Sequence, residues 1–504
     1  MKDLIKKLDL KYVHIALIIL GTIFISLSIF HTNLWFDESY SVGIANHSFK
    51  NIWIIGGSDV HPVLYYCVLH ILNLIFGSNI LVYRIFSMIC TSILGIIGFT
   101  HIRKDFGERV GLLFSFLVFF FPVGVVYAGE IRMYSLAMLL VTLTAIYAYR
   151  ICKNKDNFSI KNWIIFAICS LAGAYTHYYA LMASGLINLF LMIALIVQCI
   201  KNKKFNNNMK AFIVSGVIQV AAYIPWLMSL FVQMGQVSQG FWIQFKLPYS
   251  LIEFFTFQFT GNLEETIYVD PTVAMIWSLA LTIYIIVLYV KKDKVSSKGE
   301  MKPALLALAV FLSIAIAAGI VSIVIKRPII YARYMLCPMG LFIFFLAYTM
   351  AKKGNKYINL IMCIASMLIS LYINIDFINV NYDESNSKPI EYIKEDIQDD
   401  DIILLSNEGS GFILAVTFPE NSAYFYDQNG WNCEEAYRAF QKDFKTVYDL
   451  DFLENYTGRV WIINTTHYSV LEQVRNKYNV DLIKQEMFSV EYKKYQYSIS
   501  LIEK

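Results

Sequence analysis

The sequence predicts an all-α polytopic membrane protein of about eleven transmembrane helices, followed by a small C-terminal α/β domain. Three observations carry this reading. The chain of 504 residues is 57% hydrophobic and only 16% charged, where a soluble protein carries about 25% charged residues. Its mean hydropathy is +0.52, and Lys and Arg return at intervals between long apolar runs. Beyond about residue 385 the charges become mixed and short polar and apolar stretches alternate. The 34 Tyr, 37 Phe and 8 Trp fit the same picture, because aromatic side chains favour membrane interfaces. A net charge of only +4 argues against a nucleic-acid partner.

A helix needs roughly 20 apolar residues to cross a bilayer. Such runs fall near 12–30, 81–101, 110–127, 131–150, 162–176, 178–199, 210–231, 272–290, 303–325, 332–350 and 356–376. Numbering the gaps alternately from inside puts Lys2, Lys6, Lys7 and Lys11 on the inner side. The same side receives HIRKDFGER (101–109), RICKNKDNFSIK (150–161), KNKKFNNNMK (201–210), KKDKVSSKGEMK (291–302) and KKGNK (352–356). Every one is basic, which is the positive-inside pattern. It predicts a cytoplasmic N-terminus and an extracytoplasmic C-terminus. The first run is long for the apolar core of a cleaved leader, and no small-residue cleavage motif follows Phe30, so it reads as a retained span.

HPVLYYCVLHILNLIFG (61–77) is apolar, yet counting it as a span would invert every later loop. It is therefore expected to lie in the outer interface as an amphipathic helix. In the tail, the strand-like DIILLS, AYFYD and RVWIIN alternate with the helix-like CEEAYRAFQKDF and SVLEQVRNKY, which suggests a small α/β fold. The expected division is a membrane domain over 1–380 and an extracytoplasmic domain over 381–504. Cys67 and Cys433 are the cysteines placed outside; the rest lie in or beside apolar runs, with no CxxC spacing and no disulfide framework. There is no internal repeat.

Charged groups near hydrocarbon are costly and are functional candidates by default. Four outer segments hold them. LWFDES sets Asp37 and Glu38 among Trp35, Phe36 and Tyr40, where partial desolvation strengthens a carboxylate's pull on a proton. AGEIRMY holds Glu130, Arg132 and Tyr134 between two helices. YTHYY holds His177 at another helix end. KRPIIYARY gathers Lys326, Arg327, Arg333 and Tyr334 on a side where basic residues are disfavoured, so an anion such as phosphate is their natural partner. Arg84, at the outer start of the second span, is a further candidate cation. Taken singly, each has an ordinary explanation: an acidic loop, an ion pair or snorkelling side chains, a hydrogen-bonded anchor. Together they place carboxylates, a histidine and cations on one membrane face.

The ordered series LWFDES, HPVLYY, EIRMYSL, YTHYYAL, IPW (224–226) and ARY (332–334) resembles the C-type glycosyltransferase superfamily (GT-C). Within it the likeness is to bacterial enzymes akin to protein O-mannosyltransferases and the lipid A aminoarabinose transferase. It covers roughly residues 10–350. Many members read His-Pro-Pro where this chain has His61-Pro62-Val63. The resemblance implies a GT-C-like fold with interfacial helices in the first outer loop, and a polyprenyl-phosphate sugar as donor. The chain shows no glycine loop for a nucleotide.

The expected mechanism is a single inverting displacement. Asp37 is the base, assisted by Glu38. Lys326, Arg327, Arg333 and Arg132 stabilise the leaving phosphate, and His61 and Glu130 position sugar or acceptor. Tyr134, His177 and Tyr334 complete the substrate-binding set. No metal is expected to be obligatory, since cations can neutralise a monophosphate. The acceptor is expected to be a glycan, lipid or protein of the cell envelope. The competing readings are a lipid-linked-sugar transporter or flippase, which tends to keep ionisable groups near the midplane and to show inverted repeats, and a scaffold without turnover.

Overall fold

The computed structural model describes residues 9–153, 158–239, 243, 249–260, 271–290, 300–428, 430, 434–465 and 469–504. Lys2, Lys6, Lys7, the basic stretch 291–299, residues 154–157 and Cys433 lie outside the described residues.

Each apolar run of the sequence folds as helix. The helices are Leu10–Ser26, Ile80–Ile97, Glu108–Phe120, Tyr134–Lys153, Ile160–Thr176, Tyr178–Asn202, Asn207–Gln239, Pro271–Val290, Lys302–Val324, Met339–Lys353 and Lys356–Asn381. The second continues through a π-helical turn, Gly98–Ile102, to Phe106. Six of the described helices are long and apolar enough to cross a membrane; Leu10–Ser26, Ile160–Thr176 and Met275–Val290 are shorter. Their outward faces, with residues such as Ile200, Met228, Ile276 and Ile323, are exposed and apolar. Such faces need lipid around them, and the chain is a multi-pass membrane protein.

Two departures from uninterrupted spans have a proline as cause. The run 110–127 breaks at Phe121, which is extended (φ −95°, ψ 129°) ahead of Pro122, and a short helix, Pro122–Tyr127, follows. The residue before proline is pushed out of helical geometry, and proline has no amide hydrogen to give. The broken end leaves the Phe120 carbonyl to accept from the Ser366 and Ser370 hydroxyls, at 2.7 and 2.9 Å. The run 332–350 opens as a 3₁₀ turn, Ala332–Leu336, and becomes α-helix at Met339, after Pro338. Arg333 and Tyr334 therefore sit on a tight turn, and they are held close to the helix Tyr134–Lys153. Gly340 permits that approach: a Cβ there would fall 2.0 Å from Thr142 Oγ1.

The chain divides into two compact units. One comprises residues 1–27 and 85–375, the other 28–84 and 376–504. Hydropathy alone marks a change near residue 380, whereas packing assigns residues 28–84 to the unit that holds the tail.

In that second unit, a six-stranded sheet has the order β3-β2-β1-β4-β6-β5. Its strands are β1 Ile402–Leu405, β2 Ala423–Tyr426, β3 Lys445–Val447, β4 Arg459–Asn464, β5 Asp481–Ser489 and β6 Gln496–Glu503. The first four pair in parallel, and β6 runs antiparallel to both β4 and β5. The stretches DIILLS, AYFYD and RVWIIN supply β1, β2 and β4. Parallel strands are buried on both faces, which is why β1 is apolar throughout. Trp461 is enclosed at its centre, its indole N–H donating to Asp401 Oδ2 at 2.8 Å. Among the described residues of CEEAYRAFQKDF, Glu434–Tyr437 is α-helical.

The segment 61–77 forms the helix Leu64–Phe76, 13 residues long. At 1.5 Å per residue that is about 20 Å, short of a hydrocarbon core of roughly 30 Å. Tyr65, Tyr66, Leu69 and His70 are buried on one face, while Ile71, Leu74, Ile75 and Phe76 are exposed.

Candidate active site

The acidic motif opens a helix. Trp35 is extended, and the helix Phe36–Ala45 carries Asp37 and Glu38 in its first turn, where the helix dipole favours carboxylates. From Glu38 onward the helix is buried. Asp37 is half-buried.

Adjacent in sequence, the two carboxylates differ in surroundings. Glu38 is 1% exposed. Its Oε1 accepts from Arg84 Nη1 at 2.6 Å, and its Oε2 accepts from Arg84 Nη2 at 2.9 Å and from the Tyr492 hydroxyl at 3.1 Å. Arg84 Nε also donates to the His31 carbonyl at 3.2 Å. This is a buried bidentate pair. It alters the expectation for both partners: Glu38 is committed to three donors, and Arg84 is committed to Glu38 and backbone. The reason is burial, since an isolated charge in either place would be far too costly. His31 packs on Tyr492 at 5.5 Å; its burial and the Arg84 charge push its pKa down to about 2. His61 is buried in the turn ahead of Leu64–Phe76, in the same unit.

The other unit holds the remaining candidates. His177 ends the helix Ile160–Thr176 and caps the next one, its Nδ1 accepting the Tyr179 amide at 3.0 Å. That bond leaves the hydrogen of a neutral ring on Nε2. Burial, then the charge of Arg132, pushes its pKa down to about 3, so it is neutral at physiological pH.

The His177 ring stands among tyrosines, 4.9 Å from Tyr334, 5.8 Å from Tyr134 and 5.9 Å from Tyr179. Tyr134 and Tyr334 lie two residues after Arg132 and one after Arg333, so one aromatic cluster gathers both arginines' segments. Both guanidinium side chains are buried, Arg132 at 4% and Arg333 at 6% exposure. Arg333 Nη2 donates to the Tyr331 hydroxyl at 3.1 Å, and its guanidinium lies 5.3 Å from that ring.

The expected cationic cluster thus divides. Arg333 turns inward, whereas Lys326 and Arg327 are exposed, Lys326 with a left-handed backbone (φ 56°). Glu130 is half-buried in the turn before Arg132.

A small apolar pocket shares Tyr134 with this cluster. Tyr127, Met138, Leu336, Met339 and Ile343 are among its walls. Among the described residues no three His, Cys, Asp or Glu side chains come together to hold a metal ion.

Sequence reasoning overlooked Tyr331 and Tyr179, although both stand in the quoted motifs. It also overlooked Tyr492, for which nothing in VEYKKYQY (490–497) offered a signal.

The chain is a polytopic membrane protein, and its fold resembles that of a solved membrane protein. The solved structures carry the fold. ArnT from Cupriavidus metallidurans bound to undecaprenyl phosphate matches with a TM-score of 0.58 and 9% identity over 97% of each chain. The apo state of the same protein matches with a TM-score of 0.52 and 11% identity, again over 97% of each chain. Residues 60–229 also match the family model described as dolichyl-phosphate-mannose-protein mannosyltransferase. No curated protein matches the chain by sequence.

Proposed function

We propose that this protein is an inverting glycosyltransferase that moves a sugar from a polyprenyl-phosphate carrier to an acceptor hydroxyl at the outer membrane interface. The observation that carries the reading is a pair of buried guanidiniums, Arg132 and Arg333, whose segments share one aromatic cluster. An anionic headgroup is the natural partner of such cations. The structural likeness to a protein bound to undecaprenyl phosphate points to the same donor class.

In the reaction, the acceptor oxygen attacks the anomeric carbon as Asp37 takes its proton. The bond from that carbon to the phosphate oxygen breaks, its electron pair leaves with the phosphate, and polyprenyl phosphate departs. Arg132 and Arg333 bear the charge that grows on the leaving group, with Lys326 and Arg327 as outer cations. Glu130, His61, Tyr134, His177 and Tyr334 bind and orient substrate; the neutral His177 is suited to donate from Nε2. Guanidiniums supply the charge a metal would otherwise provide, so chelation with EDTA should leave turnover within about twofold. The alternation of basic loops supports a cytoplasmic N-terminus and an extracytoplasmic C-terminal domain.

The test is purified protein in vesicles, given a panel of undecaprenyl-phosphate sugars with released undecaprenyl phosphate read by mass. Release supports the transferase. Sugar crossing the vesicle wall with its phosphate bond intact would instead favour a transporter.

A further inference from the structure

The last hairpin of the C-terminal domain meets the acidic motif residue by residue. Between β5 and β6 the chain turns over 490–495, closed by the Val490 amide donating to the Tyr495 carbonyl at 3.0 Å. At its tip Lys493 and Lys494 both take the left-handed backbone, φ 54° and 52°. Two successive lysines adopt that conformation only where surrounding contacts over-determine it, and three contacts run from this turn to the motif. The Lys493 ammonium lies 4.8 Å from the Trp35 ring. The Phe36 amide donates to the Tyr495 hydroxyl oxygen at 3.3 Å. The Tyr492 hydroxyl donates to Glu38 at 3.1 Å. Asp37 lies between these contacts in the sequence.

The turn is itself anchored. The Tyr492 amide donates to Asn386 Oδ1 at 2.8 Å and the Glu491 amide to the Ser385 hydroxyl at 3.1 Å. Asn386 Nδ2 in turn donates to the Val380 carbonyl, at the end of the last long helix, at 2.7 Å. Behind the motif, a Cβ on Gly43 would fall 2.4 Å from the Ala439 carbonyl oxygen. The Phe36 ring packs 5.4 Å from Phe440 and 5.9 Å from Phe412. The motif helix is thus seated directly on the α/β domain.

We propose that the C-terminal domain is part of the catalytic apparatus, with Tyr492, Lys493 and Tyr495 as positioning residues that hold the Trp35–Glu38 turn so that Asp37 points at its proton. This rests on the reading of Asp37 as the base. Removing two hydroxyls, as in the double variant Tyr492→Phe, Tyr495→Phe, leaves the rings and takes away only the polar grips.

The test is hydrogen–deuterium exchange of the full chain in nanodiscs, together with turnover of whichever donor of the panel is cleaved. In the double variant, amides of residues 34–42 should exchange roughly fivefold faster, the size of a lost hydrogen bond, with β1 and β4 unchanged. The kcat should fall about tenfold at unchanged KM for the donor. Glu38→Gln should remove most of the further effect of Tyr492→Phe, because the two act through one contact. Unchanged exchange over 34–42 would overturn the clamp. Faster exchange with undiminished kcat would overturn its catalytic role. If Asp37→Asn kept full turnover while the exchange result stood, the fault would lie with the base assignment.

Discussion

Asp37 and Glu38 are neighbours with a one-residue difference that decides their chemistry. Glu38 is enclosed with Arg84 and Tyr492, whereas Asp37 is half-buried at the mouth of the helix. Asp37→Asn is expected to lower turnover by about 10²–10⁴, read as released polyprenyl phosphate. Arg84→Met leaves Glu38 buried and uncompensated, and the cost of breaking such a pair is about 3–5 kcal/mol; a drop in thermal midpoint of the purified protein checks it. Arg333→Lys keeps the charge and loses the planar fork, so KM for the donor should rise while folding is preserved.

His177 and His31 set a pH dependence. Their folded pKa values, about 3 and about 2, lie below the unfolded value of 6.5. The unfolded chain therefore takes up protons that the folded chain refuses between those values and 6.5. Stability should be full above about pH 6.5 and fall as the pH drops toward 3, with a shallower fall in His177→Gln, as followed by unfolding at stepped pH. The candidates themselves were legible because each is a charged or polar group where hydrocarbon disfavours one. Their partners were not: Glu38 and Tyr492 are 454 positions apart, and no local pattern joins them.

At the scale of elements, apolar length was a faithful guide, and Leu64–Phe76 was set apart from the spans by the alternation of basic loops rather than by its length. What length could not convey was interruption. Pro122 and Pro338 were visible in the sequence, but a run reads as continuous unless the residue before each proline is weighed as a breaker. The second interruption matters for the site, because it places Arg333 and Tyr334 on a 3₁₀ turn with a backbone able to aim both inward. That turn is supported by the helix Met339–Lys353, pressed to Tyr134–Lys153 at Gly340. Gly340→Leu should force the helices apart, destabilise by about 1–3 kcal/mol through overpacking, and raise KM for the donor because Tyr134 and Tyr334 lose their common spacing. The β5–β6 turn was opaque for a different reason: a charged hairpin tip looks alike whether it faces water or grips another segment.

For the molecule as a whole, the distribution of charge says more than its sum. The basic loops recur at every second gap, at 101–109, 201–210 and 352–356 among the described residues. The preference of lysines and arginines for the cytoplasmic side would accumulate over all of them. Reversing one loop would not overturn the topology, but a chain inserted the other way would set every basic loop outside. The orientation therefore makes a prediction that depends on no single helix boundary. In intact cells, a membrane-impermeant maleimide should label Tyr448→Cys, at an exposed position beyond β3, and should spare Lys204→Cys, exposed in the loop after the helix Tyr178–Asn202. Permeabilised cells should label both. The opposite pattern in intact cells would turn the protein over, move the acidic motif to the cytoplasm, and remove the physical case for a lipid-linked donor in favour of a soluble one.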